Sequence, residues 1–186
     1  MTTWLKAGII TASDRASRGE REDKSGLLLK SLLEELPAEV IAYRVVPDER
    51  ELLKTILVHI ADRLNCDLIL TTGGTGLGPR DNTPEATKAV IEKEIPGIPE
   101  VLRRESVRKT KFAILSRMIA GIRGKTLIIN LPGSPEAVRD CFEILRPILS
   151  HAIELLQGTV NDCQEVKSKE CKAQLQTLLH SSHSHF

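Results

Sequence analysis

Two rhythms of apolar residues alternate along the chain. Short unbroken runs fill residues 7–11 (AGIIT), 68–72 (LILTT) and 127–130 (LIIN), and residues 40–46 are rich in β-branched side chains. Runs of this length predict buried strands. Between them apolar residues recur at helical spacing. Residues 25–36 carry leucine at 27, 28, 29, 32, 33 and 36, and residues 49–64 set Leu52, Leu53, Ile56, Leu57, Ile60 and Leu64 on one face. Helices are also predicted over 84–94, 98–108 and 135–158, the last stopped by Gly158. Alternating strands and amphipathic helices imply an α/β fold, a mostly parallel sheet with helices on both faces. The pattern fits a single domain over residues 1–160, followed by a polar tail, 161–186, that ends HSSHSHF. Three histidines invite a metal reading, but a mobile terminus explains the tail more simply.

In such folds ligands bind beyond the carboxyl ends of the strands. The informative loops therefore follow Thr11, Val46, Thr72 and Asn130. The third is the richest, with Gly73, Gly74, Gly76 and Gly78 placing four glycines in six residues. Glycines let the backbone approach a ligand and turn successive N–H groups inward, an anion nest suited to phosphate. The alternative is a long glycine-rich turn. Thr83 is expected to cap the following helix, with Pro84 first inside it. Neither standard fingerprint fits. A GxGxxG from Gly74 would need glycine where Pro79 stands, and a P-loop ending at Gly124-Lys125-Thr126 would need glycine where Ile119 stands. The loop after Asn130 repeats the grammar: Pro132, Gly133, then Ser134 as cap and Pro135 as first helical residue.

Two carboxylates stand out. Asp48, with Glu51 three residues on, has a capping-box arrangement. Asp81 lies between the glycine loop and a helix start that Thr83 already caps. An acidic group there would repel phosphate unless it binds Mg²⁺, so Asp48 and Asp81 together could hold a magnesium that bridges a nucleotide's phosphates. Arg15 and Arg18 read either as phosphate ligands or as solvated loop charges, and the Ser116–Arg117 pair has the same two readings. His59 is expected on a helix surface.

Composition narrows the partners. The 186 residues carry 26 Lys+Arg against 25 Asp+Glu, without the basic excess of a polyanion binder. One Trp, one Tyr and three Phe cannot build a stacking platform for single-stranded nucleic acid. Cys66, Cys141, Cys163 and Cys171 form no CxxC and no zinc-finger spacing. No signal peptide and no membrane-length apolar run is visible. A cytoplasmic protein with free thiols, without nucleic-acid or membrane partners, is expected.

The motifs Ser13-Asp14-Arg15-Ala16-Ser17, Val46-Pro47-Asp48-Glu49, Thr71-Thr72-Gly73-Gly74-Thr75-Gly76, Pro79-Arg80-Asp81-Asn82-Thr83-Pro84, Ala113-Ile114-Leu115-Ser116-Arg117 and Asn130-Leu131-Pro132-Gly133-Ser134-Pro135 occur in one order. In that order the chain resembles the molybdenum-cofactor biosynthesis family, in particular molybdopterin adenylyltransferases related to gephyrin G domains. The resemblance covers roughly residues 6–158. It implies a three-layer α/β/α sandwich, a homotrimer, and ATP- and Mg²⁺-dependent adenylylation of molybdopterin with release of pyrophosphate. A molybdate-insertion protein would take over the product. Asp48 and Asp81 match the family's two essential aspartates, as catalytic and metal-holding residues. Gly73, Gly74, Thr75, Gly76, Asn130, Pro132, Gly133 and Ser134 are expected to cradle nucleotide and phosphate. Ser13, Asp14, Ser116 and Arg117 are expected on the pterin side. Two other readings are a molybdopterin-binding module without transferase activity and an oligomeric scaffold. With so few aromatics, recognition of either flat ring should rest on backbone amides and apolar walls.

Overall fold

In a computed structural model, residues 5–159 are described. Strand β1 (Leu5–Ala12) is followed by a short helix α1 (Asp14–Ser17), α2 (Lys24–Glu34) and β2 (Ala38–Val46). Helix α3 (Arg50–Val58) runs on into a wide π turn over His59–Arg63 and leads to β3 (Leu68–Thr72). Next come α4 (Thr83–Lys88), β4 (Lys93–Glu94), α5 (Gly97–Val107) and a 3₁₀ turn at Lys111–Leu115. Strands β5 (Ala120–Arg123) and β6 (Thr126–Leu131) and the long α6 (Pro135–Gln157) complete the chain described.

The six strands form one sheet in the order β2-β1-β3-β6-β5-β4. The first four are mutually parallel, while β5 is antiparallel to both β6 and β4. Side chains alternate faces along a strand, and the register turns that alternation into two cores. Ile9, Leu70 and Ile129 stand in one row. They pack under Leu29 and Leu33 of α2, Leu102 of α5, and Phe142 and Leu145 of α6. Ile10, Ile69 and Ile128 face the other way, onto Leu53 and Leu57 of α3 and Ala86 and Val90 near α4. The molecule is thus the three-layer α/β/α sandwich that the resemblance implies.

Helix α6 begins and ends as its sequence dictates. Ser134 Oγ accepts from Ala137 N at 3.2 Å, and Gly158 stops the helix at φ 72°. Residues 84–94 differ from expectation, because the helix ends at Lys88. Beyond it Glu92 N donates to Ile122 O at 2.7 Å and Ile95 N to Ala120 O at 2.8 Å. Sheet pairing along β5 satisfies these amides and outweighs the local helical periodicity. The hairpin of β5 and β6 turns at Lys125 and the left-handed Gly124, φ 54°, the glycine that rules itself out as a P-loop. His59 is exposed as expected. Cys66 and Cys141 are buried free thiols, and burial pushes them up to about 12 and about 11.

Among the described residues no helix is long and apolar enough to cross a membrane. The tail 161–186, with Cys163, Cys171 and its histidines, lies outside the described residues.

Phe142 is wholly buried between α6 and the sheet. Phe142→Ala is expected to cost about 3–5 kcal/mol in a urea melt, whereas the exposed His59→Ala should stay within about 0.5 kcal/mol of the parent.

Candidate functional site

The sheet order sets the site. The carboxyl ends of β2, β1, β3 and β6 lie side by side, and the winding reverses between β1 and β3. A crevice opens at such a reversal. Two cavities of about 340 and 630 Å³ occupy this edge and share Gly74, Asp81, Gly133 and Ser134 in their walls. They are two lobes of one cleft. Ser13, Asp48 and Gly73 line the smaller lobe, and Thr75, Gly76, Ser116 and Pro132 line the larger. A cavity of about 1100 Å³ lies at the opposite edge, walled by Leu5, Asp62, Asp67, Arg123 and Gln157. There Arg123 is paired with Asp62 and Gln157 with Asp67.

The glycine loop owes its path to two left-handed residues, Gly73 at φ 90° and Gly74 at φ 61°. A Cβ on Gly73 would strike the carbonyl oxygen of Ala12. One on Gly74 would lie 2.7 Å from Asp48 Oδ1 and against the hydroxyl of Thr83. The loop then closes through Asp81 N to Gly78 O at 3.0 Å and Thr83 N to Gly74 O at 3.1 Å. Asp81 Oδ2 accepts from Gly78 N at 2.7 Å. Thr83 is not the cap expected of it. It is the first helical residue, Asn82 holds the cap position, and the Thr83 hydroxyl is buried without a partner.

Asp48 is not a helix cap either. The cap position of α3 belongs to Glu49, which makes no side-chain cap bond. The Asp48 carboxylate turns instead to α1, where Asp14 N donates to Asp48 Oδ2 at 2.9 Å and Asp48 N donates to Asp14 Oδ1 at 3.1 Å. Arg80 grips the Asp14 carboxylate with two bonds of 3.0 and 2.8 Å. That guanidinium holds the Asp14 carboxyl below the usual carboxylate range. Burial pushes the Asp48 carboxyl above it, and the negative charges of Asp14 and Asp81 add to the effect. Asp48 Oδ1 is buried with no hydrogen-bond partner.

Among the described residues no group of three or more acidic, histidine or cysteine side chains is placed to hold a metal ion. Magnesium needs no such cage, because it binds through one or two carboxylates together with waters and substrate phosphates. The unpartnered Asp48 oxygen and the Asp81 carboxylate, both walling the smaller lobe, fit that requirement.

The remaining candidates separate into cleft walls and supports. The Ser13 hydroxyl caps α1, accepting from Ala16 N at 3.2 Å, and Ser116 lies in the other lobe with its hydroxyl buried and unpartnered. Asn130 is wholly buried. Its amide donates to Thr71 at 2.9 Å and Thr87 at 2.8 Å, and its oxygen accepts from Ile119 N at 3.3 Å. Both donors are spent, so Asn130 braces the site from behind instead of offering an amide to a phosphate. Arg117 likewise turns away from ligand space, onto the glycine loop. Arg18 is paired with Glu20 at the surface, which leaves it as a solvated loop charge. Phe112 is the one aromatic ring on the cleft walls among the described residues.

Sequence reasoning gave no role to Asp23, which walls the smaller lobe and binds Gly26 N and the Tyr43 hydroxyl. Its place just ahead of the leucine stripe of α2 was the available signal.

The family model described as a probable molybdopterin binding domain matches residues 8–151. A molybdopterin adenylyltransferase of Helicobacter pylori is 45% identical over 164 residues, covering 87% of this chain and 93% of that protein. One of Escherichia coli is 41% identical over 142 residues, covering 75% and 72%. The molybdopterin biosynthesis enzyme MoaB of Thermus thermophilus superposes with a TM-score of 0.79 at 50% identity, covering 83% of this chain and 97% of that one.

Because burial raises the carboxyl of Asp48 in the folded state, ionising it costs stability. This group's contribution is fully present at low pH and is lost as pH rises through the raised value. Asp48→Asn is therefore expected to melt above the parent at neutral pH in scanning calorimetry. The difference should shrink as the pH is lowered into the ordinary carboxylate range.

Proposed function

The chain belongs to the molybdopterin-binding family of molybdenum-cofactor biosynthesis, and we propose that it is a molybdopterin adenylyltransferase. A terminal phosphate oxygen of molybdopterin forms a bond to the α-phosphorus of ATP while the bond to the departing pyrophosphate breaks. The products are adenylyl-molybdopterin and pyrophosphate. The observation that carries this reading is the meeting of Asp48 and Asp81, from separate loops, in the lobe lined by Gly73 and Gly74.

The protein's part in such a reaction is positioning and electrostatics. Gly73, Gly74 and the α6 start at Gly133 and Ser134 take the triphosphate in the smaller, polar lobe. Thr75, Gly76 and Pro132 extend the cradle into the larger lobe. There Leu115, Met118 and Phe112 supply the apolar walls that suit a pterin, with Ser116 among them. The two lobes meet over Gly74 and Asp81, where the reacting phosphates are brought together. Asp48 and Asp81 would hold Mg²⁺, which when bound neutralises charge on the α-phosphate and the leaving pyrophosphate. Asp14, held by Arg80, keeps the Asp48 backbone and carboxylate in place and walls neither lobe, which supports a positioning role for it. We further propose that the protein works as a cytoplasmic homotrimer and passes its product to a molybdate-insertion protein.

Purified protein with molybdopterin, ATP and Mg²⁺ should yield adenylyl-molybdopterin by chromatography together with pyrophosphate. Molybdopterin binding without an ATP-dependent product would instead establish the binding module. Asp81→Asn is expected to keep the fold and lose transfer by about two orders of magnitude, the scale of losing one preorganised charge-stabilising group. Parent-like turnover would remove Asp81 from the reaction.

A further inference from the structure

Arg117 spends its donors on a single stretch of chain. Its Nε donates to Gly76 O at 2.7 Å, one terminal nitrogen donates to Asp81 O at 2.6 Å, and the other pairs with Glu85. Its own backbone N–H donates to Thr75 O at 2.9 Å. Four contacts from one residue thus hold the glycine loop at Thr75, Gly76 and Asp81 and at the head of α4. The segment that carries Arg117 is braced in turn. Arg103 of α5 donates to Met118 O at 3.0 Å and Ser116 O at 3.4 Å, on either side of it.

The directions of these bonds matter. In a trans peptide the C=O and N–H point opposite ways. Drawing the carbonyls of Thr75, Gly76 and Asp81 towards Arg117 turns the N–H groups of Gly76, Leu77 and Asn82 away from it. A loop of this many glycines has little intrinsic preference for one peptide orientation. The planar fork of a guanidinium, with donors fixed in direction, supplies that preference where a flexible ammonium would not.

We propose that Arg117 is a positioning residue: by fixing the peptide orientation of the loop at Thr75, Gly76 and Asp81, it holds the glycine loop in one path and keeps the Asp81 carboxylate in its place where the two lobes meet. This rests on the reading of the cleft as an ATP site. It departs from the expectation that Arg117 binds the pterin directly.

The test compares steady-state kinetics and ATP·Mg²⁺ calorimetry for the parent, Arg117→Lys and Glu85→Gln. Arg117→Lys should lower kcat/KM for ATP by about a hundredfold, the cost of a misplacement of about 1 Å, with KM for molybdopterin nearly unchanged. Lysine keeps the charge, so failure of Arg117→Lys to rescue separates orientation from simple electrostatics. Glu85→Gln keeps the guanidinium and loosens one arm, so a smaller loss in the same parameter is expected. It also decides the matter if Arg117→Lys does not fold. A raised KM for molybdopterin with unchanged ATP binding would overturn the proposal in favour of direct substrate contact, and parent-like kinetics in both variants would overturn it outright. Absence of ATP binding and transfer in the parent would instead count against the proposed function.

Discussion

Close approach of backbone at the point where the sheet winding reverses governs the rest of the site. Gly73 lies against the carbonyl of Ala12, and Gly74 lies against Asp48 Oδ1 and Thr83. Neither contact leaves room for a side chain, and both residues sit in the left-handed region. The exit of β3 is thereby pressed onto the exit of β1. That contact brings a carboxylate from the β2 loop, a glycine loop and the start of α6 to one cleft. It also shuts water away from one oxygen of Asp48.

Burying a carboxylate oxygen without a partner costs free energy. The fold limits the cost by giving the other oxygen an amide donor from Asp14 and by placing Arg80 on Asp14. The arrangement leaves Asp14 and Asp48 with opposite tendencies: one carboxyl stays readily ionised and the other resists ionisation. A cation arriving with substrate phosphates would relieve the second. A buried, under-satisfied acid beside the glycine loop is no stabilising feature, and it fits the proposed magnesium-nucleotide site.

The layers were legible in the sequence because each buried strand is an unbroken apolar run and each major helix carries a stripe. Residues 127–130 and 68–72 needed nothing beyond that pattern. The β5–β6 hairpin was not, since β5 is short, half-exposed at its end and interrupted by Gly121. Residues 84–94 misled because Ala86, Ala89 and Val90 repeat at helical spacing, while the pairing of Glu92 and Ile95 with β5 is a long-range effect. Within the site, the glycine loop and its acidic residue were readable from residue type and spacing. The supporting roles of Asn130 and Arg117 were not, because they depend on partners 43 and 41 residues away, at Thr87 and Gly76. A polar side chain looks the same in sequence whether it faces a ligand or props the loop that does.

The most direct check is a crystal structure grown with Mn²⁺ and a non-hydrolysable ATP analogue, with the metal located by its anomalous signal. The account predicts a manganese peak between the Asp48 and Asp81 carboxylates, with the nucleotide phosphates against Gly73 and Gly74. Nucleotide bound with no metal at either carboxylate, or seated in the opposite cavity beside Asp67 and Arg123, would contradict it.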